Sequence, residues 1–380
     1  MPKSSTTTFD VKKGLEGVVV AESRVCNIDG EKGKLIYRGY DISDMAKCSF
    51  EEVSYLLVYG KLPNMKELAA FEKKVKAGRR ISPRVLSLMH EYCPGTTCME
   101  ALRTTVSALA CNDPDVSKVS TEDHIRNGIN LIGKFPAMVA AYHRIHSGKK
   151  FIKPKSSLGH AANFLYMITG KRPSDIAAKA MNTDFVLHAE HGFNASTFAV
   201  RVTISTLSDM HSAITSGIGT LKGPLHGGAA QEAWALLDSI RRPEKAENYV
   251  KGLLARHEKI MGFGHRVYKT YDPRARILKK MAHDLSQATN DMRWYDIGTS
   301  VEDTMIKEKN IYPNVDFYSS IVYHKLGLPL DLDTPIFAIA RISGWLAHAL
   351  EQYADNKLIR PREYYTGPMS MKFIPLDKRK

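Results

Sequence analysis

The sequence of 380 residues contains no hydrophobic run as long as the roughly 18 residues that a membrane-spanning helix needs. Its first residues, MPKSSTTTFDVKK, have neither the apolar block of a secretory signal peptide nor the Arg-rich pattern of a transit peptide. We therefore expect a cytoplasmic protein. Fixed-period repeats and low-complexity segments are also missing, which disfavours a solenoid.

Cysteines are few, and their spacing excludes two classes of small stabilised domain. Five occur, without any CxxC pair: Cys26, Cys48, Cys93, Cys98 and Cys111. An odd set with this spacing indicates neither a disulfide framework nor a zinc knuckle. We expect reduced thiols, most of them buried.

Acidic residues are fewer than basic ones, 40 against 54, which gives a formal net charge of +14. The basic residues are spread along the chain, and no long basic block is interleaved with aromatic residues, so nucleic-acid binding is only weakly indicated. A substrate with several phosphates or carboxylates remains open, and so does a basic surface without a specific ligand.

The apolar content of 43% is sufficient for one large core or two. Most of the chain shows apolar residues at spacings of three and four between Gly, Pro, Ser or Asp, which predicts many helices and an all-α fold. Ser49 to Glu52 forms a capping-box pattern, and Gly60 ends the helix that follows. Near the N-terminus, two β-prone runs at 17–20 and 35–37 predict a small hairpin.

The segment Gly262 to Arg274, GFGHRVYKTYDPR, interrupts the helical pattern. Gly262 and Gly264 allow positive φ and close approach of the backbone to a ligand. His265 can donate or accept a hydrogen bond, and Arg274 offers a planar fork for a carboxylate or phosphate. The segment therefore suggests a loop that binds an anion beside a polarised carbonyl. The alternative is a surface turn with solvated cations.

Two further segments carry histidines. His188 and His191 lie three residues apart, which predicts one helical face before Gly192 ends the helix. A metal site is disfavoured because no third ligand occurs at a matching spacing. Two interpretations remain: His191 points into a cleft, or both histidines are buried in the core. His226, in KGPLHGG, is expected at the start of a helix, where the helix dipole favours a neutral ring that can stabilise an enolate oxygen.

The last third of the chain adds an acid and two arginines. Asp316 follows a Pro-containing turn at the start of an apolar helix, where it is either the N-cap or a general base. Arg341 lies in apolar surroundings and needs an anionic partner, either a buried carboxylate of the protein or a bound one. Arg360 precedes Pro361 and is expected in an extended loop.

Taken together, these segments resemble the citrate synthase family. GFGHRVYKTYDPR fits the signature of the family position by position, and GPLHGGAAQEA, PNVDFYS, ARISGWLAHALEQ and RPR occur in the order of the family. The resemblance runs from GLEGVVVAESRV to RPREYYTG, which is nearly the whole chain, and shows no departure at the catalytic positions.

The resemblance implies an all-α, multi-helix homodimer without a metal or bound cofactor. From the charge distribution and the lack of a long apolar run, we expect no nucleic-acid or membrane partner. Each subunit would have a large helical domain, 1–226 with 319–380, and a small one, 227–318, that close over the substrates. The implied reaction condenses acetyl-CoA with oxaloacetate and hydrolyses the citryl-CoA formed to citrate and CoA.

The resemblance also implies roles for individual residues. Asp316 would remove a proton from the acetyl group, His226 would stabilise the enolate oxygen, and His265 would polarise the oxaloacetate carbonyl. Oxaloacetate would be bound by His191, Arg274, Arg341, Phe337 and, from the other subunit, Arg360. Our candidates for contacts with CoA are Lys259, Gly262, Gly264, Arg266, Lys269 and Asn314.

Two alternatives remain at this stage. 2-Methylcitrate synthase uses propionyl-CoA with the same catalytic set, and one added methylene discriminates by only about 1–3 kcal/mol. A non-catalytic basic helical scaffold is the second alternative. It predicts salt-dependent binding to polyanions without turnover.

Overall fold

The structure is a computed structural model that describes residues 10–379. Helices dominate this part of the chain, and the all-α prediction is confirmed. The helices are α1 Ile42–Met45, α2 Phe50–Tyr59, α3 Met65–Gly78, α4 Pro83–Tyr92, α5 Cys98–Ala110, α6 Thr121–His146, α7 His160–Thr169, α8 Asp175–His188, α9 Ala195–Ser205, α10 Met210–Leu221, α11 Ala229–Ile240, α12 Ala246–Ala255, α13 Pro273–Ala288, α14 Arg293–Lys309, α15 Val315–Lys325 and α16 Asp333–Ala354.

Local sequence signals account for many of the helix ends. The capping box predicted at the start of α2 is present: Ser49 Oγ accepts the backbone N–H of Glu52, and Glu52 Oε2 accepts that of Ser49. Gly60, with a left-handed backbone, ends the helix as predicted. Such caps satisfy backbone groups that a helix cannot pair internally.

A small antiparallel sheet lies before the helices, in the order β1 Cys26–Asp29, β2 Lys34–Tyr37 and β3 Tyr40–Asp41. The predicted second strand is confirmed, but the prediction of a first strand at 17–20 is wrong. Cys26 pairs with Tyr37 and Asp29 with Lys34, so β1 lies one short turn before β2. The valines at 18–20 pair with no strand within residues 10–379, and Val19 is 88% exposed.

The long helix α16 lies in the core. It is buried along nearly its whole length and packs against α2, α6, α8, α9 and α10. A helix with apolar residues all round must be covered on every side, because any exposed face would leave apolar surface in water. Helix α16 therefore provides a rigid support for the polar side chains that it carries.

Helices α11 to α15 pack largely on one another, with α13 and α11 against α15 and α12 against α14. This group includes most of the predicted small domain, whose predicted boundary at residue 318 falls inside the continuous helix α15. Within residues 10–379, no helix combines the length and apolar character needed to cross a bilayer.

All five cysteines are free thiols, but most of them are not buried. Cys93 and Cys98 are buried, Cys26 and Cys48 are partly exposed, and Cys111 is exposed. The expectation of mostly buried thiols therefore holds for two of the five positions.

Candidate active site

The glycine-rich loop between α12 and α13 is joined to the start of α15 by backbone pairing. Gly264 N–H donates to the carbonyl of Tyr312, and Asn314 N–H donates to the carbonyl of Gly262, at 3.0 and 2.9 Å. Asn314 Nδ2 also donates to the carbonyl of Gly264 at 3.0 Å. These bonds hold the loop carrying His265 against the helix end carrying Asp316.

Asp316 does not cap helix α15. The N-cap is Asn314, whose side chain accepts the backbone N–H of Asp316 at 3.1 Å. No hydrogen bond to the Asp316 carboxylate is formed by any residue in the described range 10–379. Burial raises the pKa of this carboxyl above its ordinary value, and His188 opposes that rise. An unpaired carboxylate with a raised pKa has the chemistry of a general base.

The His265 ring has a defined tautomer. Its Nδ1 accepts backbone N–H groups from Val267 and Tyr268, at 3.0 and 3.1 Å. Because backbone amides only donate, the ring hydrogen must be on Nε2. Burial, and then the charge of Arg274, lowers the pKa of His265 to about 4. Near neutral pH the ring is therefore an uncharged Nε2–H donor.

The His226 ring has the opposite tautomer. Its Nε2 accepts the backbone N–H of Ser196 at 3.3 Å, and Ser196 Oγ lies 2.8 Å from the same nitrogen. The ring hydrogen is then on Nδ1. Burial, followed by the charge of Arg341, lowers the pKa of His226 to about 4.

The expected neutrality of His226 therefore agrees with this pKa, but the main cause differs from the one expected. The residue lies in the turn between α10 and α11, and α11 begins only at Ala229. Burial, rather than a position in the first turn of a helix, is the largest cause of the lowered pKa.

His191 is not on a helical face shared with His188, because α8 ends at His188 and Gly192 turns the chain with φ of +61°. That turn brings His191 to the glycine-rich loop: its ring centroid lies 5.2 Å from that of His265. His191 Nε2 also lies 3.2 Å from Tyr268 Oη. Burial, with help from Arg274, lowers the pKa of His191 well below its ordinary value.

The two buried arginines predicted for the site, Arg274 and Arg341, are held differently. Arg341 is 1% exposed, donates from Nε to the carbonyl of His188 at 2.8 Å and lies over the Phe337 ring at 4.5 Å. Its two Nη groups form no hydrogen bond with the residues at 10–379. Arg274 is paired with Asp272 through two hydrogen bonds, of 3.0 and 2.8 Å. Arg341 is thus the more available fork for a carboxylate.

Arg360 of the same chain is not brought to these residues. The neighbouring Ile359 N–H donates to Ser205 Oγ at the C-terminal end of α9. His226 contacts Ser196 near the other end of that helix, about 13 Å away at the rise of an α-helix. Arg360 itself is exposed.

The candidates for CoA contacts lie around the glycine-rich loop, and their proposed role stays a prediction. Lys259, Arg266 and Lys269 are exposed. A cavity of about 200 Å³ is lined by Gly264, His265, Tyr268, Lys269 and residues 310–313, among others. A larger cavity, of about 890 Å³, lies between α3 and α6 and includes none of the predicted site residues.

Three residues in the site were not predicted from the sequence: Tyr268, Ser196 and Asn194. Ser196 Oγ also lies 2.8 Å from Asn194 Oδ1, which links the residue that contacts His226 to the start of α9. Asn194 is also a typical N-cap, and that signal was available in the sequence. Within residues 10–379, no group of three His, Cys, Asp or Glu side chains has an arrangement suited to a metal.

Two neutral histidines with fixed tautomers, an unpaired carboxylate and a buried arginine fork form an acid–base site for a small anionic substrate. Comparison with known proteins shows the family of the chain. The family model described as "Citrate synthase, C-terminal domain" matches residues 14–362. The chain belongs to the citrate synthase family, a family of enzymes.

The relatives are similar over their whole length. A citrate synthase of Haloferax volcanii is 46% identical, with 97% of this chain and 99% of the relative covered. A protein of Corynebacterium glutamicum named 2-methylcitrate synthase 2 is 40% identical, with 99% and 100% covered.

Solved structures give the same result. The citrate synthase of Pyrobaculum aerophilum has a TM-score of 0.92 at 38% identity, with 97% and 95% of the two chains covered. A citrate synthase of Thermoplasma acidophilum, in a ternary complex with carboxymethyl coenzyme A and oxaloacetate, has a TM-score of 0.91 at 37% identity. In that comparison 98% of this chain and 100% of the other are covered.

Proposed function

We propose that this protein is a citrate synthase, which condenses acetyl-CoA with oxaloacetate and hydrolyses the citryl-CoA formed to citrate and CoA. The observation that carries the proposal is the pair of neutral histidines that present an N–H from opposite ring nitrogens, His226 from Nδ1 and His265 from Nε2. Two such donors suit a reaction in which two carbonyl oxygens develop negative charge.

In the first step, Asp316 takes a proton from the methyl carbon of acetyl-CoA, and the electron pair moves onto the thioester oxygen. His226 Nδ1–H stabilises that oxygen. Removing one preorganised donor of this kind typically costs about 3–4 kcal/mol of transition-state stabilisation. Asp316 suits the role of base because its carboxylate has no hydrogen-bond partner among residues 10–379.

In the second step, the enolate carbon attacks the ketone carbon of oxaloacetate, whose oxygen receives a hydrogen bond from His265 Nε2–H. Water then cleaves the thioester of citryl-CoA and releases CoA. No metal is needed in this scheme, because the two histidines supply the polarisation. Arg341, Arg274 and His191 bind the oxaloacetate carboxylates, and Phe337 packs beneath the Arg341 guanidinium.

We also propose a homodimer in which the partner subunit's Arg360 completes each site. Two features support it: Arg360 of the same chain is held at the far end of α9, and the segment around it exposes many large apolar side chains. The most exposed of these are Met369, Met371, Phe373 and Leu376, each 77–78% exposed. Apolar surface of this extent is typical of an interface.

The dimer proposal can be tested by mixing two inactive variants, Asp316→Asn and Arg360→Ala, and allowing subunits to exchange. In a mixed dimer, one site contains Asp316 and the partner subunit's intact Arg360. We expect about a quarter of wild-type activity, because half the dimers are mixed and each has one complete site. No recovery, with exchange verified by mass spectrometry, would contradict the proposal.

For closure, we propose that helices α11 to α14 form the smaller body that moves over the substrates. Support comes from their packing on one another and from the position of the His265 loop between α12 and α13. Charge-assisted hydrogen bonds of about 1.5–3 kcal/mol each, from the arginines to oxaloacetate, would favour closure.

The function is tested by thiol release from acetyl-CoA and from propionyl-CoA, each with and without oxaloacetate. We expect oxaloacetate-dependent release that favours acetyl-CoA and falls by about 10²–10⁴-fold in Asp316→Asn. A preference for propionyl-CoA would instead identify a 2-methylcitrate synthase. No release from folded protein would contradict the enzyme and leave the basic scaffold.

A further inference from the structure

A chain of polar groups, most of them buried, leads from the oxaloacetate-binding end of the site into α16. It consists of Glu190, His348, Arg201 and Glu351, which we call the Glu190 relay. Glu190 and His348 are 0% exposed and Arg201 is 3% exposed. None of these residues has a role in the reaction proposed above, although His348 lies in the segment ARISGWLAHALEQ, which is part of the sequence resemblance to the family.

The direction of the hydrogen bonds in the relay follows from the donor and acceptor chemistry. Arg201 Nη1 lies 3.2 Å from His348 Nδ1 and 2.8 Å from Glu351 Oε2. Because arginine only donates, His348 Nδ1 accepts, and the hydrogen of the ring is on Nε2. That Nε2–H donates to Glu190 Oε1 at 3.0 Å.

The same oxygen, Glu190 Oε1, also accepts the backbone N–H of Gly192. The Glu190 carboxylate thus closes the turn that contains His191, because it bonds from the residue before His191 to the residue after His191. Gly192 supplies the positive φ of this turn, and the carbonyl of Gly192 also accepts the backbone N–H of Asn194 at 2.9 Å. The Glu190 carboxylate therefore helps to hold the backbone that carries His191.

The other carboxylate oxygen, Glu190 Oε2, is buried and has no hydrogen-bond partner within the described residues. It fits against Gly344, where a Cβ atom would lie 2.1 Å from it. Arg341, one helical turn before Gly344, interacts with Glu190 electrostatically but donates from Nε to the carbonyl of His188 instead. Glu190 therefore balances the charge of Arg341 without occupying its fork.

We propose that His348 is a positioning residue for oxaloacetate binding: it holds Glu190 and, through Glu190, orients His191 and leaves the Arg341 fork free. This inference rests on the proposed function. It predicts a selective effect on oxaloacetate, because Glu190 precedes His191 directly and interacts electrostatically with Arg341, whereas the hydrogen bonds of the relay do not include Asp316 or the glycine-rich loop.

The test compares His348→Gln with His348→Asn and His348→Leu. Glutamine can accept from Arg201 and donate to Glu190, as the histidine does, whereas asparagine is too short to do both and leucine can do neither. We expect the KM for oxaloacetate to rise about tenfold or more in the Asn and Leu variants. The KM for acetyl-CoA should stay within about twofold of wild type, and the Gln variant within about threefold of wild type in both constants.

KM is chosen because a loss of folded enzyme lowers the apparent kcat but leaves KM unchanged. If the Leu variant does not fold, the Gln and Asn variants still decide the question. Equal KM values for oxaloacetate in these two variants would overturn the inference, as would equal increases in both KM values.

A failure of the proposed function can be told apart from a failure of this inference. If wild-type protein releases no thiol from any acyl-CoA, the function is wrong. Binding of oxaloacetate is then measured by the rise that the ligand causes in the unfolding temperature. The inference expects that rise in wild type and the Gln variant, and a smaller rise in the Asn variant. Equal rises in all three would overturn it.

Discussion

The exchange of Gly262 for alanine should damage both stability and catalysis, whereas the same exchange at Gly264 should lower stability less and leave catalysis nearly unchanged. Both glycines have positive φ, +81° and +77°. A Cβ at Gly262 would lie 2.9 Å from Phe317 Cβ and 3.1 Å from Phe317 Cα, but at Gly264 the nearest atom is Ile311 Cγ2 at 3.7 Å. Comparison of the two alanine variants therefore separates the cost of backbone strain from the cost of a steric clash.

The left-handed backbone alone costs about 1–2 kcal/mol for a residue with a Cβ. Collision with Phe317 adds about 1–3 kcal/mol, since the atoms met are close to the backbone of α15 and cannot rotate away. We expect Gly262→Ala to lower the free energy of unfolding by about 2–5 kcal/mol and Gly264→Ala by about 1–2 kcal/mol. Urea unfolding with linear extrapolation measures both values.

The steric clash in Gly262→Ala should also lower the catalytic rate, because Phe317 directly follows Asp316 in α15. A displacement of the base by about 1 Å can cost about 100-fold in rate. In thiol release at saturating substrates, we expect Gly262→Ala to lose about that factor in kcat and Gly264→Ala to stay within about threefold of wild type. Equal loss of stability in the two variants, or wild-type kcat in Gly262→Ala, would refute this reasoning.

Three other predictions follow from the same geometry. Arg341→Lys should raise the KM for oxaloacetate about tenfold or more, with the KM for acetyl-CoA unchanged, because lysine lacks the planar fork; steady-state kinetics with each substrate varied measures this. Asn314→Ala should lower the free energy of unfolding by about 0.5–2 kcal/mol through loss of the N-cap, measured by urea unfolding. Because the pKa values of His226 and His265 fall from 6.5 to about 4 on folding, the unfolded protein binds more protons in acid. Their contribution to stability should be complete above pH 6.5 and be lost as the pH falls towards 4; unfolding free energies that do not change over this range would contradict it.

The helices were predictable because their signals are local. Capping residues, apolar spacing and glycine stops lie within a few positions of each helix end, as Ser49 and Gly60 show for α2. The first strand was misplaced because β-prone residues occur twice before Lys34. Only the pairing of Cys26 with Tyr37 decides which run is the strand. The role of Asp316 was also ambiguous in the sequence. Asn314, two residues earlier, is the N-cap instead, and only its hydrogen bond with the backbone N–H of Asp316 shows this.

By itself, the sequence determined the helical fold, the family and the identity of the candidate site residues, because these are recorded in residue type and order. The tertiary structure alone decided how these residues act on one another. Ser196 on α9 sets the tautomer of His226 in the turn between α10 and α11, and Glu190 lies between His348 and the turn of His191. Such contacts join positions 30 and 158 residues apart in the chain. Burial and hydrogen bonding arise only when distant segments pack, so no local pattern contains them.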